Sequence, residues 1–235
     1  LKLPLRRLST LFFALLALLA LAPDGSAEAE SPSSSASDRS AARPAADSLA
    51  DLMASFAASR GVRARFIETR HLSILMTPIE SAGMLYFEPP DRLARYTTRP
   101  GRASVVVNGG RVVMSDETGV QQLDLANSEI ARDFVGNLIA ILSGDLESLG
   151  ARFEIEFEAA GEQWLIGLKP RSRTMQNIIE WVRFKGHGVE LNEVETRAAS
   201  GDTTVLIFSD IETGLTFGAD ERERIFRLER AGVER

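Results

Sequence analysis

The sequence predicts a mainly β, α+β protein built on one large curved antiparallel sheet of about eleven strands, with helices on its concave side. Three observations predict it. Runs of alternating apolar and polar residues recur along the chain, separated by short turns rich in Gly, Pro, Asn and Asp, so consecutive strands pair antiparallel without long crossovers. These runs fall into two groups, each preceded by a segment of helical period, in the order helix, meander, helix, meander. The second helical segment is apolar around more than half its circumference and needs a covering surface, which one curved sheet supplies. A β-sandwich is the alternative, and it leaves that helix without a seat.

The elements follow in order. Lys2, Arg6 and Arg7 precede an apolar run, "LSTLFFALLALLALA" (Leu8–Ala22), and small residues stand at Ala27 and Ala29. That run is shorter than the roughly 20 residues needed to cross a bilayer. Residues 1–29 therefore read as a secretory signal peptide cut after Ala27 or Ala29, with an uncleaved anchor as the alternative. Residues 30–46, "ESPSSSASDRSAARPAA", hold no large apolar side chain and read as a disordered linker. The folded domain is expected over 47–235. In "DSLADLMASFAASRG", Asp47 is the expected N-cap of a helix carrying Leu49, Leu52, Met53 and Phe56, and Gly61 its expected end.

The first meander comprises "VRARFIETRH", "IESAGMLYFE", "RLARYTTR", "ASVVVNGGRVVMSD" and "GVQQLDLA". Asn108-Gly109-Gly110 supplies the positive φ angles of a tight hairpin. The segment "NSEIARDFVGNLIAILSGD" then changes period: Ile130, Phe134, Leu138 and Ile141 form one stripe, Val135, Ile139 and Leu142 lie beside it, and Gly144 ends it. The second meander is "RFEIEFEAA", "QWLIGLKP", "NIIEWVRFK", "GVELNEVETR" and "TTVLIFSDIE".

Composition excludes several functions. A net charge of −6 in 235 residues argues against nucleic acid, whose phosphates need a basic face. The absence of cysteine removes disulfides, thiolate metal sites, a cysteine nucleophile and a lipid-modified N-terminal cysteine. The two histidines, His71 and His187, lack metal-site spacing, and no nucleophile elbow, P-loop or dinucleotide fingerprint occurs. Glu154, Glu156 and Glu158 alternate with Phe153, Ile155 and Phe157, which marks a strand with one wet and one dry face; Asp210 and Glu212 do the same. The chain therefore reads as a non-enzyme with no catalytic residue, metal or cofactor. Strand parity does leave Phe66, Leu85, Phe87, Val105, Val107, Phe153, Phe157, Leu165, Ile179, Trp181, Leu206 and Phe208 free to share one side. They form either a filled core or the wall of an apolar cavity lidded by the 128–143 helix, and periodicity does not separate the two.

The motifs "ARFIETR", "GMLYFEPPDRLARYTTRP" and "VVVNGGRVVM", with the apolar helix that follows, resemble the periplasmic outer-membrane lipoprotein carrier family, LolA-like, over roughly residues 48–215. The resemblance implies an incomplete β-barrel whose helices cover an apolar cavity. It implies a monomeric periplasmic carrier that takes acylated lipoproteins from an inner-membrane transporter to an outer-membrane acceptor, without a cofactor. A lipid or glycolipid cargo linked to an exporter, or a non-catalytic sensor, are the alternative functions. On this reading the cavity candidates are Phe66, Leu85, Phe87, Val105, Val107, Ile130, Phe134, Leu138, Ile141, Phe153, Phe157, Trp181 and Phe208. The sequence departs from the family pattern at Pro89, where the family carries the arginine that ties lid to barrel, and at Arg95, where an aromatic is expected. Arg92 and Arg95 are the candidate substitutes for that latch.

Overall fold

The structure, a computed structural model, describes residues 48–127, 135–136 and 139–228. The expected signal peptide and linker lie outside the described residues. In chain order the elements are α1 (Leu49–Ala57), β1 (Val62–His71), β2 (Ile79–Glu88), β3 (Arg92–Arg99), β4 (Ala103–Asn108), β5 (Arg111–Asp116) and β6 (Gly119–Asp124). A 3-10 turn (Leu125–Asn127) and helical residues 135–136 and 139–142 follow. Then come α2 (Leu146–Arg152), β7 (Phe153–Ala160), β8 (Gln163–Pro170), α3 (Arg173–Gln176), β9 (Ile179–His187), β10 (Glu190–Ala198), β11 (Thr203–Thr213) and α4 (Ala219–Ile225).

All eleven strands join one antiparallel sheet in the order β6-β5-β4-β3-β2-β1-β11-β10-β9-β8-β7. The first meander runs outward from β1 to one edge. The second starts at the opposite edge and returns, and β11 pairs with β1 to weld the halves together, with Phe66 opposite Phe208. β6 and β7 do not pair, so the sheet stays open rather than closing into a barrel. That order has a geometric consequence. The chain leaves the sheet at one edge and re-enters at the other, so the segment between β6 and β7 has to cross from one half to the other.

The packing records this crossing. Val135 lies in a core cluster with Phe66, Leu85, Phe87, Val105 and Val107 from the first meander. Ile141 lies in a second cluster with Phe56 of α1 and Trp164, Ile166 and Phe184 of the second meander. The helical residues end at Gly144 as expected, with φ of 71°. The Asp145 amide donates to the Ala140 carbonyl and the Gly144 amide to that of Ile141, which is the Schellman arrangement.

Local details differ from expectation at both ends of α1. The N-cap is Ser48, whose hydroxyl accepts from the Asp51 amide. The helix ends at Ala57, and Gly61 instead permits a close approach, since a Cβ there would press on the Leu215 carbonyl and the Phe217 ring. Gly109 and Gly110, with φ of 57° and 76°, make the two-residue turn expected between β4 and β5.

Helices do not all sit on one side. α1 and the helical residues 135–142 that are described pack on the inner face. A third cluster, on the outer face, joins Ala94 and Val106 to Phe217, Ile225 and Phe226, with Tyr86 and Tyr96 packed against it. There α4 is seated by the Tyr96 hydroxyl donating to the Ile225 carbonyl at 2.7 Å and by Asn108 Nδ2 donating to that of Phe226 at 3.1 Å.

Candidate functional site

The inner face is not completely filled. Beneath Val135 and Leu142 lies an apolar cavity of about 120 Å³, walled by strands of both meanders. A second cavity of about 340 Å³ adjoins it under α1, lined by Phe56, Ser59, Val62 and Ile211 among others. Leu85, Leu142, Leu191 and Phe208 line both and so form the partition between them. The two are successive compartments of one trough.

Strand register explains which residues face it. Along β1, Ala64, Phe66, Glu68 and Arg70 are buried in alternation. Their cross-strand partners, Leu85 and Ser81 on β2 and Leu206 and Thr204 on β11, share that face. The wall of the first cavity is apolar except at one end, where Glu68, Arg95, Thr196 and Thr204 contribute. Arg95 Nη1 donates to Glu68 Oε2 at 2.8 Å, Nη2 reaches the Ser81 hydroxyl at 3.5 Å, and the guanidinium lies 4.3 Å over the Phe66 ring. Burial lowers the pKa of Arg70 beyond them, while the Glu68 carboxylate works against that shift.

The sequence-predicted candidates divide by position. Leu85, Val105, Val107, Phe153 and Phe208 line the first cavity. Phe66 and Phe87 belong to the core cluster immediately around it, fully buried. Ile141 is fully buried in the second cluster, and Phe157 packs against that cluster partly exposed. Ile130, Phe134 and Leu138 lie outside the described residues. Trp181 does not line either cavity. Its neighbours Val182 and Phe184 point inward, while Trp181 takes the outer parity and stacks with Arg183 at 4.2 Å. Leu165, paired opposite Lys185, shares that outer parity.

The two arginines also separate. Arg95 faces the trough. Arg92 differs from it by an odd number of residues and takes the outer face, where its Nη1 donates to Glu88 Oε2 at 2.7 Å. Arg222 of α4 grips the same carboxylate through Nε and Nη2, at 2.7 to 3.0 Å. Arg92 therefore belongs to the clasp on the C-terminal helix and cannot latch a lid on the inner face. The hydrogen bonds from Arg222 and then Arg92 hold the Glu88 carboxyl below its ordinary pKa, against the opposing effect of burial.

Sequence reading missed the polar end of the trough and α4. The first left a visible sign: in "ARFIETR", Glu68 and Arg70 occupy the same parity as Ala64 and Phe66, so charge falls where core is expected. The second is a seven-residue helix, "ADERERI", too short and too charged for its period to stand out. Among the described residues no group of three or more His, Asp or Glu side chains could hold a metal, and no helix is long and apolar enough to cross a membrane.

Residues 41–215 match the model of a family described as outer membrane lipoprotein carrier protein LolA-like. Among solved structures, the chain is similar to a LolA superfamily protein from Nitrosomonas europaea, at 9% identity over 75% of this chain and 97% of that one, with a TM-score of 0.42. It is similar to a putative outer membrane lipoprotein-sorting protein domain from Vibrio parahaemolyticus, at 6% identity over 75% and 95%, with a TM-score of 0.39. It is also similar to the Pseudomonas aeruginosa MucA/MucB complex structure, at 14% identity over 73% of this chain and 59% of that one, with a TM-score of 0.44. No curated protein matches the sequence.

Proposed function

The chain belongs to the outer membrane lipoprotein carrier protein LolA-like family, and from that premise we propose that it is a periplasmic carrier that shields the acyl chains of lipoproteins between inner and outer membranes. The observation that carries this reading is the two-compartment apolar trough on the inner face, roofed by Val135 and Leu142. An acyl chain of about 15 methylenes costs roughly 12 kcal/mol to keep in water, at about 0.8 per methylene. A soluble carrier has to match that with dry surface and still let go.

The closed geometry supports a release device. The first cavity, at about 120 Å³, is comparable with the engineered cavity of about 150 Å³ that accepts one benzene. It holds an acyl chain only if the roof lifts and the partition at Leu142 and Phe208 gives way. Cargo and roof then compete for the same wall, so binding and release are the two directions of one equilibrium. The carrier works as a monomer, taking cargo from an inner-membrane transporter and passing it to an outer-membrane acceptor.

Native mass spectrometry of protein taken from periplasm without detergent tests the reading. The expected spectrum contains adducts of an acylated protein, and delipidated protein recovers them from a triacylated lipopeptide. Leu142→Trp, which puts a bulkier side chain at the partition between the compartments, is expected to weaken that recovery at least tenfold. Absence of any acyl adduct, with no uptake of the lipopeptide, overturns the proposal.

A further inference from the structure

The charged residues of the trough are confined to one end, and we propose that they form the floor of a blind slot that sets the length of acyl chain accepted. The inference rests on the carrier reading and gives it a specificity. The open end is under α1, where Ala58 and Gly214 are exposed and Ser59 and Thr213 are half-buried. At the other end the lining is more deeply buried, with Glu68 3% and Thr196 6% exposed and Thr204 half-buried. Glu68 and Arg95 neutralise each other there, and Arg95 is held between that carboxylate and the Phe66 ring. A dry, mutually satisfied ion pair offers an incoming hydrocarbon no favourable contact and no room. An entering chain therefore stops at it.

Register supplies the length. Val62 lines the open compartment and Glu68 the closed one, six residues apart on β1, a span of about 20 Å at about 3.4 Å per residue. A saturated chain advances about 1.25 Å per methylene, given C–C bonds of about 1.5 Å. The slot from mouth to floor thus accommodates about sixteen carbons. Up to that length each methylene is buried and tightens binding about fourfold. Past it, added methylenes stay in water or have to dislodge the ion pair.

The test titrates delipidated full-length protein with saturated fatty acids ranging from well below to well above about sixteen carbons, by displacement of a fluorescent fatty acid. Affinity is expected to rise about fourfold per methylene and then level off or fall at a break near that length. Glu68→Ala with Arg95→Ala removes both members of the ion pair, leaving Arg70 beyond them, and moves the break to longer chains. Leu206→Trp, whose position pairs with Glu68 across β1 and β11, raises the floor and moves the break to shorter ones, independently of whether the double variant folds. An affinity that climbs with no break, or a break that neither variant moves, overturns the length selection while leaving the carrier reading intact. Binding of no member of the series overturns both.

Discussion

Two buried glutamates show how one strand parity decides a residue's work. Glu68 faces the trough and Glu88 faces outward, and each is met by arginine, Arg95 in the first case and Arg92 with Arg222 in the second. A buried pair is costly to break from one side, because the survivor is left charged and dry. Arg95→Leu alone is therefore expected to destabilise the fold by about 3–5 kcal/mol, whereas Glu68→Leu with Arg95→Leu costs clearly less. Chemical denaturation of the two variants checks the order, and a double variant less stable than the single one contradicts it. Glu88 makes a prediction about pH. Its folded-state pKa is lowered by Arg222 and Arg92, so its stabilisation is complete above the ordinary value of about 4.3 and is lost as pH falls through the lower folded value. Hydrogen exchange in residues 219–226 is expected to accelerate selectively below about pH 4.3, and Glu88→Gln reproduces that acceleration at neutral pH. Uniform acceleration across the sheet would argue against a local clasp.

At the scale of elements, the roof and the C-terminal helix have separate duties on opposite faces. Gly144 ends the roof where it meets α1, and a Cβ there would meet the Met53 carbonyl and the Ala57 amide. Gly144→Ala adds that clash to a left-handed conformation that costs an alanine about 1–2 kcal/mol. Its thermal midpoint is expected to fall by several degrees, and the displaced roof should bind acyl probes with changed affinity. α4 covers the outer-face cluster around Tyr86, Tyr96 and Val106. Ending the chain before Gly218 is expected to lower stability by exposing that cluster while leaving acyl binding on the inner face intact. Loss of binding in a truncated protein that still shows cooperative unfolding would connect the faces. The roof was legible because a stretch apolar on most sides demands cover. α4 was not, because its burial depends on Ile225 and the flanking Phe217 and Phe226, which no period links.

For the whole molecule, the central pairing of β1 with β11 brings together residues more than a hundred positions apart and carries the trough's midline. The edges are β6, whose residues are mostly exposed, and β7. Amide exchange is therefore expected to be slowest in β1 and β11 and fastest in β6, since an edge strand opens without disturbing its neighbours' ladders. Equal protection in β6 and β1 would contradict that gradient.

The sequence by itself determined the strands, their turns and the antiparallel meanders, because alternation and turn chemistry are local: Gly109-Gly110 makes its hairpin wherever the rest of the chain goes. It also placed Leu85, Val105, Phe153 and Phe208 on one face, since parity within a strand is local too. Only the tertiary structure decided that β11 closes on β1, that β6 and β7 stay apart, and that the segment between them must therefore cross the inner face. It alone separated Arg92 from Arg95 and sent Trp181 outward, because a face becomes inner or outer only when distant strands and helices choose a side to cover. The physical reason is the same throughout. Periodicity reports which residues share a surface, and the energy of burying that surface depends on partners that sequence spacing does not name.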